Sequence, residues 1–158
     1  MNDKTSKLNY TNARLLAVQV LYARALGEND WDKLMSQALL GEFGGQALVE
    51  QDKTESYVKL PAADAGLFTR IVQSYRENAE AIDTAIRTGL TEKITFERLD
   101  PILLCILRAG LAEFYVDSLT DSPVIINEYV DMARSFYDGN EVKVVNALLD
   151  RFSKIVRS

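Results

Sequence analysis

Phe136-Tyr137-Asp138-Gly139-Asn140, with Lys143 three residues further on, is the densest grouping of chemically useful side chains in this sequence. Two aromatics in a polar turn beside a lysine form a surface that can stack on bases or grip a protein partner. Single-stranded RNA is held in this way. Stacking contributes roughly 1–3 kcal/mol per base, cations neutralise phosphate, and an amide such as Asn140 offers both a donor and an acceptor to a base edge. A second basic and aromatic set opens the chain: Lys4, Lys7 and Arg14, with Tyr22 eight residues beyond Arg14 on roughly the same helical face. The competing reading is structural, with Phe136 stapling the turn into the core and the lysines simply solvated.

No comparable set supports catalysis. The chain has no histidine, which removes Ser-His and Cys-His chemistry and deprives a zinc or di-iron site of its usual ligand. The single Cys105 sits among Leu103, Leu104, Ile106 and Leu107 and reads as a small buried apolar residue. Glu113, Asp117, Glu128 and Asp131 are candidate paired carboxylates, the last two being three residues apart on one helix surface, but acids on helices are ordinarily solvated. Gly44-Gly45 lacks the spacing and the flanking lysine of a phosphate-cradling loop. The residues describe a binding protein with no enzymatic activity, cofactor or metal.

The 158 residues suffice for one domain with a sizeable core. Apolar residues make up 47% and charged residues 26%, the balance of a globular protein. The longest apolar run, Pro101 to Leu107, is far short of a membrane span. MNDKTSKLNY has no apolar core, so no signal peptide is expected and the cytoplasm is the expected location. A net charge of −5 argues against nonspecific coating of nucleic acid. The bases gather at the two ends, however, with the acids in the middle, so a local basic face is compatible with the total.

The elements that must position these residues are helical. Thr11 or Asn12 can cap a first helix carrying Leu15, Val18, Leu21, Tyr22 and Leu26, stopped by Gly27. A second follows Asp30 with Trp31, Leu34, Met35, Ala38 and Leu39. Residues 42–61 read as a connecting loop and residues 1–9 as a flexible basic tail; no alternating strand with a hairpin turn stands out. Helix resumes near Ala62 and keeps Leu67, Ile71, Tyr75, Ile82 and Ile86 on one face, with a break near Asn78. Asp100-Pro101 starts a helix that is apolar on nearly every side and should run through the centre. Ser122-Pro123 starts the next, burying Ile126, Tyr129, Val130, Ala133 and Phe136. The last follows Gly139-Asn140 and buries Val142, Val145, Leu148, Leu149, Phe152 and Ile155, with Asn146 on the same side as a hydrogen-bonded tie to the preceding turn. The prediction is an all-α, single-domain bundle of about seven helices spanning residues 1–158.

Four stretches resemble the NusB family of bacterial transcription antitermination factors: ARLLAVQVLY from Ala13, Asp100 to Phe114 with its D..ILR.A..E pattern, Val124 to Phe136, and KVVNALLD from Lys143. The resemblance implies an all-helical RNA-binding protein that pairs with the ribosomal small-subunit protein NusE. Such a pair binds the boxA element of nascent RNA and, with other Nus factors, modifies RNA polymerase, notably on ribosomal RNA operons. It implies RNA contacts at Lys4, Lys7, Arg14, Phe136, Asn140 and Lys143, to which the basic-aromatic reading of the residues adds Tyr22 and Tyr137. Asp100, Glu113 and Glu128 are the acidic positions available to a basic partner, and family members occur free as monomers or homodimers. Relatives carry a run of arginines before the first helix where this chain has Lys4 and Lys7, and an aromatic where it has Val144. The turn before the last helix is thereby expected to carry more of the RNA binding. The alternatives are a helical RNA-binding domain outside antitermination and a protein-only adaptor whose acidic middle docks a basic partner.

Overall fold

The computed structural model describes residues 3–28, 30–41, 46–51, 54–59, 63–91, 94–116 and 120–157. Among them the chain forms six α-helices and one β-hairpin, in two compact units, Met1–Thr69 and Arg70–Ser158. Helices supply the framework, as their periodicities predict.

In the first unit, α1 runs from Asp3 to Ala25. It begins well before the expected caps. Thr11 lies inside the helix, where its Oγ1 donates to the Lys7 carbonyl one turn back at 3.0 Å, so the hydroxyl is satisfied without capping anything. No glycine or proline interrupts residues 3–10, and the segment expected as a flexible tail continues the helix instead; Met1 and Asn2 lie outside the described residues. Ala13, Leu16, Ala17, Val20 and Leu21 form the buried stripe of α1 at three- and four-residue steps, while Leu26 is 68% exposed. α2, Trp31–Leu39, starts as expected at Asp30, whose carboxylate accepts the Lys33 N–H at 3.1 Å. It packs on α1 and buries Leu34, Met35 and Ala38.

Where a connecting loop was expected, β1 (Gln46–Gln51) and β2 (Thr54–Lys59) pair antiparallel, with Gln46 opposite Lys59 and Gln51 opposite Thr54. Leu48-Val49 and Tyr57-Val58 supply strand-forming residues. The Asp52-Lys53 pair between the strands is not among the sequence signals of a tight hairpin turn, which is why the pairing was hidden. Gly44-Gly45 and Pro61 lie outside the described residues.

α3, Ala65–Gly89, leads from the first unit into the second. Its start is Asp64 rather than Ala62, because the Asp64 carboxylate accepts the Leu67 N–H at 2.7 Å. The expected break falls at Asn78 (φ −122°, ψ 20°), where the side-chain amide donates to the Ser74 carbonyl at 2.9 Å. With the two arms of α3 counted separately, the described α-helical segments number seven, apart from a single 3-10 turn at Phe96–Arg98.

In the second unit, α4 (Pro101–Val116), α5 (Ser122–Arg134) and α6 (Asn140–Val156) pack against one another. α4 is the central element expected, with ten buried positions. Gly110 permits its close approach to α6, since a Cβ there would come within 2.8 Å of Leu149 Cδ2. α5 has Asp121 rather than Ser122 at its N-cap position, with Pro123 in the first turn. Burial pushes the Cys105 thiol up to about 11, which leaves it a packing residue. Two expected core positions are exposed: Phe136 at 49% and Ile155 at 67%. Each stands at the end of its apolar stripe, where the neighbouring helix no longer covers it.

Candidate nucleic-acid interface

The turn between α5 and α6 is built from local hydrogen bonds and one distant tie. The Phe136 and Tyr137 amides both donate to the Ala133 carbonyl, at 3.0 and 2.9 Å, which closes the end of α5. Gly139 then takes φ +86°, a left-handed conformation that a side chain would strain. Asn140 opens α6 on its exposed face, and Lys143 stands on the same face one turn later. Lys143 forms no ion pair among the described residues, so its ammonium is available to a phosphate.

The two aromatics divide their roles. Phe136 is exposed, whereas Tyr137 is half-buried and donates its hydroxyl to Asp100 Oδ1 at the start of α4. The rings lie 6.3 Å apart and tilted by 50°. The staple expected of Phe136 is therefore supplied by Tyr137, and Phe136 is the ring left exposed. Asp100 also accepts the Ile102 N–H at 3.0 Å, the cap that the Asp-Pro pair implied.

These bonds carry a pH dependence. The Tyr137 hydroxyl holds the Asp100 carboxyl below its ordinary value of 3.8, opposed by partial desolvation and helped by the Ile102 and Leu103 amides. A lowered folded-state pKa contributes stability that is complete above the unfolded value and lost as pH falls through the folded one. Melting temperatures of the wild type and Asp100→Asn are thus expected to differ at neutral pH and to converge as pH drops below 3.8. A difference that stays constant into acid would contradict this account of Asp100.

Lys4, Lys7, Arg14 and Tyr22 all fall on α1, within a sector of roughly 80° at 100° per residue. Lys7 is exposed and Tyr22 half-buried, while the side chain of Lys4 lies outside the described ones. Arg14 is 3% exposed. Its guanidinium is taken up inside the protein, so it does not face solvent as a phosphate contact must. Of the expected basic face, Lys7 is the member whose described side chain is exposed.

The acidic candidates change as well. Glu113 is fully buried and accepts the Tyr129 hydroxyl at 2.8 Å, so it belongs to the α4–α5 packing. Asp100 is occupied by the cap and by Tyr137, and Glu128 is half-buried on α5. Asn146 is exposed rather than turned toward the core, because α6 places it off the stripe of Val145, Leu148, Leu149 and Phe152. Asp117 lies outside the described residues. Among the described residues no group of three His, Cys, Asp or Glu side chains could hold a metal ion, and no helix is long and apolar enough to cross a membrane.

Sequence reasoning overlooked Asp83. Its carboxylate receives Arg108 Nε at 3.0 Å and Nη2 at 3.1 Å, together with the Tyr75 hydroxyl at 3.2 Å. The Arg108 guanidinium also lies over the Tyr75 ring, and Arg87 sits 4.1 Å from the centre of the Phe96 ring. The signal was Arg108 in the middle of the largely apolar α4, which calls for a carboxylate nearby.

Comparison with known proteins bears on the family and the fold. The NusB family model matches residues 11–154. The transcription antitermination protein NusB of Rhodospirillum rubrum is 36% identical over 153 residues, covering 92% of this chain and 83% of that protein. The NusB of Granulibacter bethesdensis is 33% identical, covering 93% and 88%. In fold, the chain is similar to T. maritima NusB (TM-score 0.69, 22% identity, 91% and 89% covered). It is also similar to a chain from the structure of antitermination factors NusB and NusE in complex with dsRNA (TM-score 0.69, 19% identity, 98% and 99% covered).

Proposed function

Because this chain belongs to the NusB family, we propose that it is an RNA-binding antitermination factor that acts as a heterodimer with ribosomal protein NusE. The pair binds boxA-type single-stranded RNA and, with other Nus factors, modifies RNA polymerase on ribosomal RNA operons. The family match runs through both compact units, and we read them together as one NusB-like domain working in the cytoplasm. The reading assigns the protein no reaction of its own.

The observation that carries the reading is the exposure of Phe136, Asn140 and Lys143 at the end of α5 and the start of α6, around a turn anchored to the central helix. A flat apolar ring, an amide and a free cation are the parts that single-stranded RNA requires. We assign base stacking to Phe136, a base edge to Asn140, and phosphate to Lys143. Lys4, Lys7 and Tyr22 on α1 supply a second RNA-facing set. Arg14 and Tyr137 serve the scaffold. Of the acidic positions, we assign Glu128, half-buried on α5, to the partner surface. A structure of similar fold holds NusB and NusE with double-stranded RNA, which supports NusE and RNA as the classes of partner.

The test is co-purification of the tagged chain with NusE, with and without ribonuclease. Retention of NusE after ribonuclease supports a direct heterodimer. Loss of NusE on digestion reduces the association to shared RNA and contradicts the proposal.

A further inference from the structure

We propose that Tyr137 and Asp100 form a positioning pair, which turns Phe136 outward and fixes the α5–α6 turn in the shape that presents it to RNA. This inference rests on the RNA-binding reading above and names what holds that surface in place.

The turn has little of its own to fix it. Its backbone bonds reach back only to Ala133, and Asp138, Gly139 and Asn140 are all exposed. The one hydrogen bond that ties a turn side chain to a distant element, among the described residues, runs from the Tyr137 hydroxyl to Asp100, 37 positions earlier in the chain. Asp100 is itself fixed, because the same oxygen caps α4 at Ile102. α4 is in turn locked by burial along most of its length. The constraint therefore passes from a rigid helix through a capping carboxylate to Tyr137.

Phe136 and Tyr137 are adjacent, so seating one ring against α4 sends the other out. On hydrophobicity alone the phenylalanine is the better residue to bury. The carboxylate decides otherwise: beside Asp100 a phenol gains a charge-assisted hydrogen bond that a phenyl ring cannot make. The hydroxyl selects Tyr137 for the inner seat and leaves Phe136, 49% exposed, for a base.

Tyr137→Phe keeps the ring and removes only the O–H. It is expected to weaken binding of a boxA-type RNA by the heterodimer roughly tenfold at fixed salt, the scale of one charge-assisted hydrogen bond, with NusE binding unchanged. In RNA affinity, Asp100→Asn, which keeps a neutral acceptor oxygen, should fall between wild type and Asp100→Ala, and Asp100→Ala should fall with Tyr137→Phe. The decisive reading is the double-mutant cycle with Phe136→Ala. If Tyr137 acts by aiming Phe136, then Tyr137→Phe costs nothing further once Phe136 is gone. An equal loss in both backgrounds, or no loss in either, overturns the positioning pair. If Phe136→Ala alone leaves affinity unchanged, it is the RNA reading of the turn that falls.

Discussion

Asp83→Ala is expected to lower the unfolding free energy by about 2–3 kcal/mol. Asp83 receives both forks of the Arg108 guanidinium and the Tyr75 hydroxyl, and the Arg108 and Asp83 side chains are only 16% and 18% exposed. Removing the carboxylate strands a cation against two aromatic rings in a site from which water is largely excluded. Partial exposure softens the loss relative to a fully buried pair, which is why the figure sits at or below the bottom of the range for such pairs. The same reasoning gives a second expectation: Asp83→Ala combined with Arg108→Met should be more stable than Asp83→Ala alone, since the double change removes the orphaned charge. Chemical denaturation of the three variants reads both. A single variant as stable as wild type would show that the pair contributes nothing net.

Phe136→Ala should weaken binding of boxA-type RNA by the heterodimer about 5- to 150-fold, the range equivalent to one stacked base. Lys143→Glu acts differently. It replaces one phosphate neutraliser by a repelling charge, so affinity falls and the slope of log affinity against log salt becomes shallower by about 0.7. The two changes can thus be told apart: Phe136→Ala lowers affinity at every salt concentration with the slope intact, and Lys143→Glu changes the slope. Neither residue is buried, so neither change should alter the melting temperature appreciably. If both variants bind as the wild type does, the α5–α6 turn is not the RNA surface.

The parts of this fold that were legible in the sequence are those fixed by local chemistry. Asp100-Pro101, Asp30 and Asn78 each act within four residues of themselves, so a cap and a kink could be read directly. The apolar face of α3 was equally plain, because Leu67, Ile71, Tyr75, Ile82 and Ile86 repeat with the helix and are all buried. What stayed hidden depends on partners distant in the chain. Phe136 and Tyr137 are interchangeable in a turn until Asp100, far earlier, supplies a carboxylate for one of them. Arg14 reads as a surface cation because arginine is almost never fully buried unless it is paired. The β-hairpin lacked a turn signal, and its strands carry too short an alternation to stand apart from a loop. The candidate site was thus legible as a segment, while the roles proposed inside it rest on tertiary contacts.

The central claim, a heterodimer with NusE that recognises boxA-type RNA, is tested most directly by titrating labelled RNA into the purified pair at fixed salt. A boxA-type strand and a scrambled strand of the same length are compared, with each protein also measured alone. The account requires the pair to bind the boxA-type strand more tightly than the scrambled one, and more tightly than either protein does by itself. Equal affinity for the two strands, or no gain on adding NusE, would contradict it.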